Sequence, residues 1–248
     1  GGRDALLAAD MLERSKASMV KPFVVSLMAD PSGAYTTAAA MLACVESALQ
    51  RHHAQALAGQ RVVILGGTGP VGRIAGVIAA GAGAEVFLSS RNGIEAAEAA
   101  AVEAGTRFGV TLHGISGADP AAVRASLAGA DVLLACAAAG VQVVSAEALA
   151  FATRLKVAAD VNAVPPEGIA GVGVMDDGAV LAGTAAVGIG ALAVGNVKYQ
   201  TQHRMLLRMK QAERAVMLSF AEAFAVAREF VAEKLAEKSA EKSAGKSA

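Results

Sequence analysis

Arg61-Val62-Val63-Ile64-Leu65-Gly66-Gly67-Thr68-Gly69-Pro70-Val71-Gly72 is the stretch that decides the fold. Val62 to Leu65 are aliphatic and mostly β-branched, which reads as a buried strand. Gly67-Thr68-Gly69-Pro70-Val71-Gly72 then fits G-x-G-x-x-G, and a helix is expected from about Pro70 to Ala80. In such a turn the first glycine permits the bend and the second lets a pyrophosphate reach the backbone. The third lets the helix pack on the strand. The anion sits on unpaired N–H groups at the positive end of the helix. Pro70 suits the first helical turn, where its missing N–H would have had no partner. A glycine turn used only for packing is the plainer alternative. A strand before it and a helix after it, in a unit of about 30 residues, favour a dinucleotide.

The alternation continues outward from this unit. Glu85-Val86-Phe87-Leu88 reads as a second strand and Ile94–Arg107 as a helix; Val110–Ile115 is a third strand. A helix over Pro120–Ala128 follows, with Asp119 as its N-cap. Asp131–Cys136 and Leu155–Ala159 complete five strands. Continuous apolar strands separated by helices predict an α/β fold with a Rossmann-type, doubly wound parallel sheet. Upstream, residues 4–19 read as a helix and Phe23–Met28 as a short buried strand. The turn Asp30-Pro31-Ser32-Gly33 precedes a helix over Thr36–Gln50. Past Asp160 the chain looks irregular through Pro165-Pro166, Gly168, Gly171 and Gly173. Two helices, roughly Ala191–Arg214 and Leu218–Ala236, close it. Residues 237–248 are a degenerate Glu-Lys-Ser-Ala repeat that buries nothing and reads as a solvated, disordered tail. The expected organisation is a smaller, incomplete α/β unit over 1–58 and the Rossmann domain over 59–200. Helices over 201–236 return to the smaller unit, and the tail follows.

Composition removes several function classes. The 248 residues carry 22 Lys plus Arg against 22 Asp plus Glu, a formal net charge of zero. That balance argues against bulk-charge binding to nucleic acid or an anionic membrane. Hydrophobic residues reach 54% while aromatics are 4%, with 27 Gly, which suits close backbone packing in an α/β core. A mean hydropathy of +0.48 raises the question of a membrane span, and Gly178–Val197 is uncharged and long enough. Its five glycines and the lack of basic or aromatic flanks argue against one. Cys44 and Cys136 sit in apolar runs and form neither a disulfide framework nor a zinc site, so a reducing, cytoplasmic compartment is expected. No signal peptide is read, and the opening Gly1-Gly2-Arg3-Asp4, without Met, looks like a fragment or processed chain. His52 and His53 read as a capping, solvated pair; His113 and His203 are isolated, so no metal is expected. Ser116, Ser145 and Ser219 lie in no nucleophile elbow.

The end of the second strand selects the dinucleotide. Leu88-Ser89-Ser90-Arg91-Asn92 has no carboxylate before Glu95, where an NAD enzyme usually carries one for the ribose hydroxyls. Small hydroxyls with a guanidinium suit a 2′-phosphate, so Ser90 and Arg91 point to NADP, with NAD a weaker alternative. Asp160-Val161-Asn162-Ala163-Val164-Pro165-Pro166 places polar groups just past the fifth strand, where doubly wound folds bind ligands; a turn-forming role is the other reading.

Four blocks occur together in one family: Asp30–Ala39, Gly67–Val71, Asp160–Pro166 and Val187–Gln202. From Gly1 to about Ala232 the chain resembles the NAD(P)-dependent methylene-tetrahydromethanopterin dehydrogenases of one-carbon metabolism. The resemblance implies a Rossmann NADP domain facing a smaller α/β domain, with the pterin in the cleft between them. It implies a cofactor wall of Gly67, Thr68, Gly69, Pro70, Val71, Gly72, Ser90, Arg91, Cys136, Ala137 and Asn162. Thr36, Thr37 and Asn162 would face the pterin, and Lys198 and Asp160 would be the catalytic pair. The implied reaction moves a hydride from the methylene bridge to the nicotinamide. The methenyl cation left behind is stabilised by its two flanking nitrogens, so no side chain needs to remove a proton. Catalysis then comes mainly from alignment of donor and acceptor. Asp160 would stabilise the developing charge and Lys198 would orient a pterin carbonyl. A homo-oligomer built on trimers is implied as well. Relatives carry a segment before the position matching Gly1, so part of the pterin wall stays unassigned, and some have an acidic residue near Ser90–Arg91 and also accept NAD. A methylene-tetrahydrofolate or shikimate-type dehydrogenase, or a non-catalytic NADP-binding module, are the competing readings.

Overall fold

Two-sided burial shapes the central strands. In a computed structural model, which describes residues 2–244, alternate residues of one strand enter two different cores. The first helix is α1 (Ala5–Ala17), in whose first turn the amides of Leu6 and Leu7 donate to the Asp4 carboxylate. The expected buried strand at 23–28 shrinks to β1 (Leu27–Met28). Val20, Phe23 and Val25 are exposed, because a tight turn from Val20 to Phe23 diverts the chain from any sheet. A 3-10 turn over Pro31–Gly33 leads into α2 (Ala34–His53), an Ala-rich helix that neighbouring helices approach closely.

The nucleotide-type unit follows as β2 (Arg61–Leu65), α3 (Pro70–Gly81), β3 (Glu85–Ser90), α4 (Ile94–Phe108), β4 (His113–Ser116) and α5 (Pro120–Leu127). Asp119 caps α5 as expected, its Oδ1 accepting from the Ala122 amide at 2.8 Å. Next come β5 (Val132–Ala135), the short α6 (Ala146–Leu149) behind its Ser145 cap, and β6 (Val157–Asp160). Beyond them the region read as irregular holds β7 (Asp177–Val180) and β8 (Val187–Ile189). These strands of three or four residues are interrupted by Gly178 and Gly188, so they carry too little periodicity to announce themselves. Helix α7 (Ala191–Gln211), β9 (Met217–Leu218) and α8 (Phe220–Ala244) complete the chain. α8 continues eight residues past the expected end at 236, so helix replaces the expected tail there; residues 245–248 of that tail lie outside the described residues.

The seven-stranded sheet has the order β4-β3-β2-β5-β6-β8-β7, all parallel except the antiparallel edge strand β7. Leaving out that edge, the order is the doubly wound 3-2-1-4-5-6. Val62, Ile64, Val132, Leu134, Val157 and Ala159 face one side with α2, α3, α7 and α8. Val63, Leu65, Leu133, Ala135 and Ala158 face the other, against α5 and α6. Most buried apolar side chains of 1–58 belong to the first of these cores, and they form no second core among the described residues. A separate pair of short parallel strands, β1 with β9, ties 27–28 to the segment between the last two helices. Tyr35 closes this end: its hydroxyl donates to the Ala5 carbonyl and its ring meets Phe220 edge-on at 5.4 Å. Among the described residues no helix is long and apolar enough to cross a membrane.

Candidate dinucleotide and substrate site

In a doubly wound sheet the strands flanking the reversal of order diverge at their carboxyl ends and leave a crevice. Here those strands are β2 and β5. A cavity of about 700 Å³ opens there, lined by Gly66, Thr68, Gly69, Ser89, Arg91, Cys136 and Ala137 among others. Cys136, at the edge of this wall, has its thiol pushed up to about 12, first by burial and then by the charge of Asp160. It is a packed wall residue, not a reactive thiolate.

The glycine turn has a division of labour that differs from the expectation at one position. The left-handed residue is Gly66 (φ 74°), just before the motif, and it went unassigned in the sequence. Gly67 instead lies against β3, where a Cβ would come 2.8 Å from the Leu88 Cα. Gly72 fills its expected role: a Cβ there would stand 2.6 Å from the Gly66 carbonyl oxygen and 2.7 Å from the Gly67 Cα. The start of α3 carries no side-chain cap, so amides of its first turn are left for an anion. Arg73 steadies the turn, its Nε donating to the Thr68 carbonyl at 3.0 Å while Glu103 on α4 holds the other end of the guanidinium.

Ser89 is buried and lines the cavity; Ser90 is buried beside it, does not line the cavity, and its hydroxyl accepts from the Asn92 amide at 3.1 Å. Arg91 lines the cavity, is exposed, and has no ion pair or hydrogen bond among the described residues. Arg124, also on the wall, was not singled out in the sequence; its guanidinium lies 5.4 Å over the Phe151 ring.

Asp160 and Asn162 do not line this cavity. Asp160 is 1% exposed and its carboxylate accepts from the amides of Asn162 (2.9 Å) and Ile169 (3.1 Å). Burial pushes its carboxyl above the ordinary range, and the backbone donors pull partly back. Asn162 accepts from the amides of Gly140 (3.1 Å) and Val164 (3.0 Å) and donates to the Pro166 carbonyl at 2.7 Å. The pair is therefore spent on clasping the loops after β5 and β6, the turn-forming reading left open above.

The remaining site residues gather at the start of α2. The His53 ring nitrogen stands 3.0 Å from the Lys156 carbonyl oxygen, just before β6 begins, so His53 is a bridge and not the solvated cap expected. The C-terminus of α2 is thus at the amino edge of the sheet and its N-terminus is on the carboxyl edge, the edge that carries the glycine turn. There Thr36 is buried and its hydroxyl donates to Asp30 at 2.7 Å, while the Thr37 hydroxyl donates to the Gly33 carbonyl at 2.6 Å. Lys198, on α7, reaches the same place: a Cβ on Gly33 would lie 2.7 Å from its Nζ. The fold brings Thr36, Thr37 and Lys198 together, apart from the residues of the large cavity.

The family described as "Methylene-tetrahydromethanopterin dehydrogenase, N-terminal" matches residues 1–32. The NAD(P)-dependent methylenetetrahydromethanopterin dehydrogenase of Methylorubrum extorquens is 46% identical over 92% of this chain and 77% of its own length. The chain belongs to the NAD(P)-dependent methylenetetrahydromethanopterin dehydrogenase family. A second relative from the same organism, "Bifunctional protein MdtA", is 32% identical over 92% of this chain and 77% of its own. Among solved structures, a ligand-free 5-ketofructose reductase of Gluconobacter sp. strain CHM43 superposes with a TM-score of 0.49 at 19% identity, covering 92% of this chain and 85% of that one. The four blocks that carry the resemblance fall on three features of the fold: the glycine turn, the α2–α7 corner, and the loop after β6 that Asp160 and Asn162 clasp.

Proposed function

We propose that this member of the family oxidises methylene-tetrahydromethanopterin to the methenyl form with NADP as hydride acceptor, NAD serving less well. The observation that carries the reading is the cradle at Gly72, where backbone contacts leave no room for a Cβ, beside a cavity whose wall includes an Arg91 unpaired among the described residues. These residues fit an NADP. The first turn of α3 would hold the pyrophosphate, and Ser90 and Arg91 the 2′-phosphate, with Cys136 and Ala137 as apolar wall. When bound, the nicotinamide supplies the carbon that accepts the hydride.

The chain's own residues then orient and do not move protons. Thr37 and Lys198 stand at the carboxyl edge, where the ammonium can hold a pterin carbonyl in line, and Thr36 fixes the start of α2. The catalytic role first given to Asp160 becomes a positioning one, because both its oxygens already accept backbone amides. Asn162 likewise shapes the wall through Gly140. The segment 1–58 and the last two helices would form the substrate side of the cleft, in keeping with the contacts of α2 with α7. Exposed Val20, Phe23 and Val25 support a homo-oligomer, which the family resemblance suggests is built on trimers. Two free thiols support a reducing compartment such as the cytoplasm.

The deciding experiment is a spectrophotometric assay of methylene-tetrahydromethanopterin with each nicotinamide in turn, and with methylene-tetrahydrofolate alongside. Turnover with NADP that falls sharply in Lys198→Ala is expected. Tight NADP binding without reduction by either pterin would overturn the reading in favour of a binding module.

A further inference from the structure

We propose that Asp30 and Gln202 form a latch that positions Lys198 for the reaction; the inference rests on the reading of Lys198 as a pterin contact. Lys198 has no ion pair or hydrogen bond of its own among the described residues, so its ammonium is placed only by the helix that carries it and by its packing on Gly33. Gln202 is one turn further along α7, on the same helical face. Its Nε2 donates to Asp30 Oδ2 at 3.3 Å, across 172 residues of sequence. The same oxygen accepts from the Thr36 hydroxyl at 2.7 Å, and Oδ1 accepts from the amides of Tyr35 (3.0 Å) and Thr36 (3.1 Å).

Four donors thus fill about the four acceptor sites a carboxylate offers, which leaves Asp30 nothing for a ligand and makes it a positioning residue. The turn it anchors is strained: Ser32 sits in the left-handed region at φ 50°, followed by Gly33 at φ 73°. A non-glycine residue stays there only when its surroundings over-determine the backbone. The Ser32 hydroxyl, which donates to the Gly2 carbonyl at 2.8 Å, and the Asp30 carboxylate with its donors on either side of the turn are those surroundings, and the Gln202 bond ties the turn to the lysine's helix.

The test is removal of the Gln202 donor, read by steady-state kinetics. Gln202→Leu is expected to lower kcat or raise the pterin KM by about tenfold, the worth of one charge-assisted hydrogen bond. The NADP KM should stay within about twofold, because the glycine turn is untouched. Asp30→Asn should have a smaller effect in the same direction, since the Gln202 amide can turn over and accept from the new amide through its Oε1 while the charge of the carboxylate is lost. Gln202→Met, which keeps the reach of the side chain but offers no donor, should lose as much as Gln202→Leu. Should Asp30→Asn fold poorly, Gln202→Leu and Gln202→Met still decide. Wild-type pterin kinetics in Gln202→Leu while Lys198→Met loses turnover overturns the latch alone. Unchanged turnover in Lys198→Met overturns the role of Lys198 and the latch with it.

Discussion

Gly72→Ala isolates the packing of α3 on its turn. The new methyl would meet two backbone atoms, the Gly66 carbonyl oxygen at 2.6 Å and the Gly67 Cα at 2.7 Å, and neither can swing aside as a side chain could. To reach an ordinary contact near 3.4 Å the helix start must retreat by about 0.8 Å. Overpacking of this kind costs about 1–3 kcal/mol of stability. The retreat also lifts the first-turn amides from the phosphate. Losing one or two charge-assisted hydrogen bonds, at about 1.5–3 kcal/mol each, weakens NADP binding by at least about tenfold. Gly81→Ala at the other end of α3 is the control, since a Cβ there meets nothing within 4 Å. It should leave binding unchanged and raise stability by up to about 1 kcal/mol. Calorimetric titration with NADP and urea unfolding measure both quantities. NADP binding by Gly72→Ala equal to wild type, with an unchanged unfolding midpoint, would refute the close-packing argument.

Three further outcomes are expected. Arg91→Ala should raise the KM for NADP by about tenfold or more and leave that for NAD nearly unchanged, because only NADP offers a 2′-phosphate to the unpaired guanidinium; equal losses for both would remove Arg91 from the 2′-phosphate. Asp131, buried at the amino edge of the sheet, accepts from the Arg61 amide at 3.0 Å and pairs with Lys156 at 3.1 Å. Burial alone would raise its carboxyl, but the Arg61 amide, Lys156 and Arg154 outweigh it and the net shift is downward. A lowered folded pKa means stability that is complete above the unfolded value near 3.9 and lost as pH falls through the folded value. Asp131→Asn should therefore lose about 2–3 kcal/mol at pH 7 in urea unfolding, and its deficit against wild type should shrink below about pH 4. Asn162→Ala breaks three loop bonds and should cost about 2–3 kcal/mol and speed proteolytic cleavage near Gly140; unchanged proteolysis would count against the clasp.

How much of this was legible in advance follows the range of each interaction. The strand at 61–65, the helix from Pro70 and the capped helix behind Asp119 are local matters of periodicity and capping, and they stand where the sequence put them. β7 and β8 were missed because strands of three or four residues, broken by glycine, exist only through partners elsewhere in the sheet. The strand expected over Phe23–Met28 misled in part for the converse reason: the β propensity of 23–25 is real, but among the described residues only Leu27–Met28 finds a partner strand, and Phe23 is left in solvent.

The candidate site divides along the same line. That a glycine turn of the dinucleotide-binding pattern lies at 67–72, and that an arginine stands at 91 where a carboxylate is usual, are matters of adjacent residues and could be read directly. Where Asp160 points could not, because the choice between ligand and clasp depends on which amides reach its oxygens, and those of Asn162 and Ile169 get there first. Nor could any spacing reveal that Lys198 stands over Gly33 or that Gln202 reaches Asp30. Residues far apart in sequence meet only once α2 and α7 are packed side by side, and helix packing depends on the whole core and not on either segment alone.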